Sequence, residues 1–483
     1  MELLSLIIKS IQTHRDGIKK INDTIWSNPQ LAWHETIAHD TICDFFDDLE
    51  SDYTVHRHAY GIETSFLIQA STLADPPGLS LPQNDSSKII VFNAEYDALP
   101  SMVPDPDSKP PQLKPAHACG HNLIASASIA AFIACWQALK STKQPGTIRL
   151  LGTPAEESGG GKIRLLKASA YLNINACLMA HPLPLSQDAS IKALAFTTTL
   201  ASQGITAEFH GVDAHAGMAP WDGKNALDAL VNSYVGISAL RQQLKPTNRV
   251  SGIITNGGSA ANVIPAYTRA KYGIRAETRK ELDELRKKVR RCFEAGSEAA
   301  GCTVDVDDTH IAYWDMISNS HLCHGFTDRM NQFGIKTVYR IPEITDHPGA
   351  ASDQGNVSHF CPAMQAACFI DSKGAVNHTP GFAEAAGTED SFDRSLDCAK
   401  GLAAVGFDVL TDRMFGAAIK DGYMLDIARK AEVVTGDSGK EIPSGEEIDR
   451  LIRCHSHSVA HLLKPGMKKE EIMGVLMATD ALF

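Results

Sequence analysis

The chain lacks any run of about 18 apolar residues, the length a helix needs to cross a membrane, so neither a membrane span nor a membrane partner is expected. It lacks a basic excess: 45 Lys and Arg stand against 57 Asp and Glu, a net charge of −12. That balance favours solubility and gives no support to a nucleic-acid partner. It lacks a disulfide framework. The eleven cysteines are odd in number and scattered, as at Cys43, Cys135, Cys177, Cys292 and Cys454, which points to a reducing, cytoplasmic setting. The opening MELLSLIIKSIQTHRDGIKKI has no leading basic segment and no small-residue cleavage site, and Lys9, His14 and Arg15 break its apolar stretch, so no signal peptide is expected. No internal repeat or low-complexity tract is present. What remains is an ordinary globular composition over 483 residues, long enough for two or more domains.

Strand and helix signals alternate. Short β-branched apolar runs at 89–93, 147–151 and 176–180 read as buried strands, and the Ala- and Ile-rich stretch 122–139, free of Pro and Gly, reads as a buried helix. Leu4, Ile7, Ile8, Ile11 and Ile18 give the N-terminus one apolar helical face. This alternation predicts an α/β fold with helices on the faces of a sheet. Residues 72–88 and 101–116 carry clustered prolines and are expected to be loops, the second on the rim of a site. Residues 198–309 read βαββαβ, with strands near 205–210, 250–255, 268–276 and 303–307 and helices near 226–244 and 281–300, which suits a ferredoxin-like sandwich. The expected division is a catalytic domain in two parts, 1–197 and 310–425, an inserted domain at 198–309, and a helical C-terminal extension at 426–483.

Chemistry concentrates at the predicted strand ends. His117-Ala118-Cys119-Gly120-His121 places a thiol and an imidazole on a tight turn, a pair suited to a borderline-soft divalent ion such as Zn²⁺ but ambiguous alone. Thr153-Pro154-Ala155-Glu156-Glu157 is followed by Ser158, three glycines and Lys162. Of two adjacent carboxylates beyond a strand, one can hold a metal while its neighbour accepts a proton from water. The glycines do not form a phosphate cradle, because two Glu precede them and no Gly-Lys-Ser/Thr ending follows. Glu95 and Asp97 bring further carboxylates to the same edge, and His181 and His378 lie in Ala-His-Pro and Asn-His-Thr-Pro. In the inserted domain, His215 within Asp213–Gly217, read as the end of its first strand, and Asn262 and Arg275 stand out, the last as a guanidinium able to clamp a substrate carboxylate.

In order along the chain, EYDALP, HACGHN, GTPAEESGGGKI, MAHP, HAGMAPWDGKNALDA, NVIPAY, SDQGNVSH and NHTPGF resemble the dinuclear metallopeptidases and amidohydrolases that include aminoacylases, carboxypeptidase-G-like enzymes, indoleacetyl-amino-acid hydrolases and aminobenzoyl-glutamate hydrolases. The nearest branch is the dipeptidase-like group acting on β-alanyl or Xaa-basic dipeptides, and the resemblance spans roughly 15–425. It implies a zinc-peptidase-like mixed sheet flanked by helices, with an inserted ferredoxin-like dimerisation lid. It implies two divalent ions, Zn²⁺ foremost with Mn²⁺, Co²⁺ or Ni²⁺ as alternatives, held by Cys119, His121, Glu157, His181 and His378. Glu156 matches the general base, Asp97 the acidic support, His215 the lid histidine that steadies the oxyanion in a partner subunit's site, and Asn262 and Arg275 the substrate-holding lid residues. The implied reaction is hydrolysis of an N-acyl amino acid or dipeptide bearing a carboxylate, in a homodimer joined through the lid. Amide formation on the same site and an inactive binding scaffold are the alternatives. Two features depart from the family pattern: the Pro-rich stretch 101–116 is longer, and Gln365 stands where the near branch tends to carry His.

Overall fold

The computed structural model describes residues 2–49, 52–73, 88–105, 108, 112–346 and 349–435. These separate into two compact units: one takes the residues up to Thr197, Ile317–Thr345 and those from Val357 on, and the other takes Thr198–Met316 with Asp346–Asn356.

The first unit is built on an eight-stranded mixed sheet. Its centre is four parallel strands, in the spatial order Thr147–Gly152, Ile89–Ala94, Ala176–Pro184 and Ala363–Ile370. Phe66–Ser71 and Thr54–Arg57 extend one side antiparallel, and the short strands Ala193–Leu194 and Thr337–Val338 complete the other. Three of these strands are buried throughout and Ala176–Pro184 is buried up to Ala180, as expected of parallel strands covered on both faces. The helix His121–Thr142 is the one helix among the described residues long and apolar enough to cross a membrane, and it is buried within this unit. It packs against Glu2–Ser27 and Glu389–Thr411. On the N-terminal helix, Ile7, Ile11, Ile18, Ile21 and Ile25 recur every three, four or seven residues and form the buried face.

The second unit is a four-stranded antiparallel sheet, ordered Arg249–Asn256, Tyr267–Ala276, Ala201–His210 and Thr303–Asp307. The helices Ala226–Leu240 and Arg279–Ala299 pack on it and on each other. Chain order βαββαβ with this strand order is the ferredoxin-like arrangement, so the expected α/β class with a ferredoxin-like insert holds.

Three local expectations change. The predicted loop 101–116 contains a hairpin, Leu99–Asp105 paired with Gln112–Ala116, although 106–107 and 109–111 lie outside the described residues. Prolines such as Pro104 and Pro115 are tolerated because a two-stranded ribbon leaves one row of backbone groups unpaired. The strand predicted to end at 180 runs on to Pro184, so His181 lies within it. The Asp213–Gly217 region does not end the first lid strand, which stops at His210; Ala214–His215 pairs instead with Val263–Ile264. Most of the expected loop 72–88 lies outside the described residues, as does the expected C-terminal extension beyond the helix Arg413–Thr435.

Phe132 lies at the centre of this packing: it is fully buried, edge-on to Phe46 at 5.5 Å and tilted against Tyr53 at 5.7 Å. Phe132→Ala is expected to cost about 3–5 kcal/mol. Urea unfolding followed through the fluorescence of buried Trp136 measures this. A loss below about 1 kcal/mol would contradict the packing described.

Candidate active site

The carboxyl ends of parallel strands are where open α/β sheets gather ligands. Ile89–Ala94 leads into Glu95 and Asp97, Thr147–Gly152 into Glu156 and Glu157, Ala176–Pro184 carries His181, and Ala363–Ile370 leads towards His378. Between the first two, the turn His117–His121 opens the long buried helix. Gly120 closes it at φ 77°, where a Cβ would meet Pro182 at 2.6 Å, so only glycine lets the turn approach the His181 strand this closely.

These side chains fall into overlapping groups whose ligand atoms lie within 4.8 Å of one another: Cys119, His121 and His181; Cys119, Glu157 and His378; and Glu95, His121 and Glu156. The first two groups contain all five residues matched to metal ligands and share Cys119. Cys119 Sγ is 3.3 Å from His181 Nε2, and Glu157 Oε1 is 3.3 Å from His378 Nε2. Donors about 2.0–2.3 Å from a tetrahedral ion stand roughly 3.4–3.6 Å apart, so these spacings fit a common cation. The ring tautomers agree. His121 Nδ1 donates to Asp97 Oδ1 at 2.9 Å and His181 Nδ1 to the Pro182 carbonyl at 2.9 Å, which turns both Nε2 atoms into the cluster. Asp97 Oδ2 also accepts the Glu157 N–H at 2.8 Å, so one carboxylate orients residues from two elements. Among the described residues, His121 Nε2 and Glu95 Oε2 are buried without a hydrogen-bond partner, which suits atoms that serve as metal donors.

Burial pushes the Cys119 thiol up and lowers His181. Burial also disfavours a charged His121, but Asp97 and Cys119 outweigh it and raise the imidazole well above its ordinary value. For Glu157, burial is outweighed by His378 and His121, and the carboxyl is lowered. Two residues of the group adopt left-handed backbone or follow it: His378 has φ 66° and Ala155, just before Glu156, has φ 58°. Each such non-glycine residue costs about 1–3 kcal/mol, strain of the kind that collects at working sites.

The remaining three predicted residues belong to the second unit. His215 is exposed, and its Nδ1 accepts the N–H groups of Gly217 and Met218, both at 3.1 Å, so Nε2 carries the proton and faces outward as a donor. Asn262 is adjacent, its carbonyl accepting the Ala216 N–H at 3.1 Å. Arg275 lies on the strand Tyr267–Ala276 and donates to the Gly349 carbonyl.

Paired carboxylates beside a thiolate and imidazole cluster suit the activation of water against an amide carbon, and the class of protein they define is the metal-dependent amidohydrolase. The peptidase dimerisation domain family matches residues 200–300, within the second unit. A mouse Xaa-Arg dipeptidase is 37% identical over 416 residues, spanning 85% of this chain and 89% of its own. One of the p-aminobenzoyl-glutamate hydrolase polypeptides of Escherichia coli is 28% identical over 309 residues, 63% of this chain and 60% of its own. The crystal structure of a dinuclear metal-binding M20 peptidase from Bacillus subtilis superposes with TM-score 0.59 at 16% identity, over 83% of this chain and 99% of that one, and speaks to the fold. The chain belongs to the M20 peptidase family, in the branch of the Xaa-Arg dipeptidases.

Sequence reasoning missed Glu35, because no local pattern marks it and its partner lies 120 residues away. Its fully buried carboxylate accepts the Ala155 N–H at 2.8 Å, the Trp33 N–H at 3.0 Å and the Thr64 hydroxyl at 2.8 Å. It thus fastens the left-handed Ala155 that aims Glu156 and Glu157. Burial, reinforced by Asp97, raises Glu35 from 4.5 to about 7. A carboxyl raised on folding stabilises the folded state fully below its unfolded value, and that contribution is lost as pH rises through the folded one. In the metal-free protein, wild type should therefore lose about 3 kcal/mol relative to Glu35→Gln as pH rises from 4.5 to about 7. Parallel stability curves for the two proteins across that window would contradict this.

Proposed function

We propose that this chain hydrolyses the amide bond of a small dipeptide or N-acyl amino acid carrying a free carboxylate, with Xaa-basic dipeptides as the first class to test. The observation that carries the reading is the pair of donor groups sharing Cys119, with Glu156 beside them. Cys119, His121 and His181 would hold one divalent ion, and Cys119, Glu157 and His378 the other. Zn²⁺ suits a donor set of thiolate, imidazole and carboxylate best, with Mn²⁺, Co²⁺ and Ni²⁺ as alternatives. Such ions, when bound, lower the pKa of water and polarise the scissile carbonyl.

The chain's own residues do the rest. Glu156 takes the proton from the attacking water and returns it to the departing amine. Asp97 holds His121 and Glu157 in place. His215, as an Nε2–H donor reaching a partner subunit's site, stabilises the negative charge that develops on the carbonyl oxygen there. Asn262 and Arg275 hold the substrate's carbonyl and carboxylate. The resemblance to the mouse dipeptidase supports the substrate class. Ten described cysteines, all free thiols, support a reducing cytoplasmic location.

A homodimer through the second unit belongs to the same reading. Arg249–Asn256 is an edge strand whose Ile253 and Ile254 are exposed, and the helix Ala226–Leu240 exposes Val231, Tyr234 and Val235. An open strand edge beside exposed apolar side chains invites pairing with a second copy.

Two measurements test this. Against a panel of Xaa-Lys, Xaa-Arg, β-alanyl and N-acyl glutamate substrates, the metal-loaded wild type should release amine, and Glu156→Gln should keep its metal while losing at least about 100-fold in kcat. An active Glu156→Gln would refute its role. Val235→Glu combined with Ile253→Lys should convert a dimer to a monomer in analytical ultracentrifugation. An unchanged dimer would place the interface elsewhere.

A further inference from the structure

The third donor group contains a residue that no part of the proposed mechanism uses. Glu95 is 0% exposed, and so is its ion-pair partner Lys162, whose Nζ lies 2.5 Å from Glu95 Oε1. Burying such a pair is costly, and the second carboxylate oxygen adds to the cost: Oε2 has no hydrogen-bond partner among the described residues. It stands 3.5 Å from His121 Nε2, which has none either. His121 donates its Nδ1–H to Asp97 Oδ1, so its Nε2 faces Glu95 Oε2 across a buried gap, where a proton on Nε2 joins the two atoms when no metal is bound. A cation between them satisfies both atoms. Imidazole nitrogen and carboxylate oxygen about 2.0–2.2 Å from a tetrahedral ion stand roughly 3.4 Å apart, which matches the gap.

We propose that Glu95 is an additional metal ligand, its Oε2 completing the coordination of the ion held by His121, with Lys162 fixing the carboxylate so that only one oxygen faces that ion. This rests on the reading that the cluster binds divalent ions. Gly161, on the turn that delivers Lys162, packs so closely that a Cβ would sit 1.7 Å from the Pro154 carbonyl oxygen.

The test uses the full-length chain and Co²⁺, whose visible ligand-field bands report its donors, followed by competition with a chelator. Glu95→Gln alone would strand a buried Lys, so the main variant is Glu95→Gln with Lys162→Met, which removes both charges together. If wild type takes up two Co²⁺ and the double variant binds one of them at least about tenfold more weakly, with altered bands and unchanged circular dichroism, Glu95 is a ligand. Lys162→Met alone should then show a metal-free melting temperature that falls and recovers on adding Co²⁺ by more than wild type gains. If wild type takes up two ions and the double variant matches it in affinity and spectrum, the pair is a structural ion pair and the proposal is wrong. If wild type itself takes up none, the metal reading of the whole cluster fails, and this inference with it.

Discussion

One carboxylate holds the first unit's chemistry together. Asp97 leaves the end of Ile89–Ala94 and commits one oxygen to the His121 ring and the other to the Glu157 backbone. Those residues come from the start of a helix and from a turn after a different strand, so nothing local relates them. Asp97 sets the tautomer of one donor and the position of the other. The remaining geometry follows: the Gly120 turn brings Cys119 beside His181, and the His378 N–H bonds to the Ala118 carbonyl at 2.8 Å, carrying that histidine to the same place.

The arrangement is costly. It contains a buried Glu–Lys pair, a buried Glu35, left-handed Ala155 and His378, and several buried polar atoms without partners among the described residues. Burial of the eight-stranded sheet and its helices offsets those costs, since the central strands and the helix His121–Thr142 are almost wholly removed from water. The cluster sits at the end of rigid strands, and a site on rigid elements holds its donors to the tolerances that coordination demands.

How much of this was legible in the sequence depended on distance along the chain. Strands such as Thr147–Gly152 and the helix His121–Thr142 were readable because their apolar patterns are continuous. The ferredoxin-like unit was readable from the order of its elements. Each word of the site, HACGH or AEESGGGK, was visible because its residues share one turn. Partnerships across the fold were not. Lys162 meets Glu95 across 67 positions and Glu35 meets Ala155 across 120, and neither end carries a local signal of the other. The Leu99–Asp105 hairpin was hidden by prolines that argue against strands in general yet cost little in an exposed two-stranded ribbon.

The central claim is that one thiolate is shared between two donor groups. Anomalous scattering from crystals of the Zn²⁺-loaded chain, collected at the zinc edge, tests it most directly. The account predicts two peaks, one bounded by Cys119, His121 and His181 and the other by Cys119, Glu157 and His378. A single peak, or peaks away from Cys119, would contradict it.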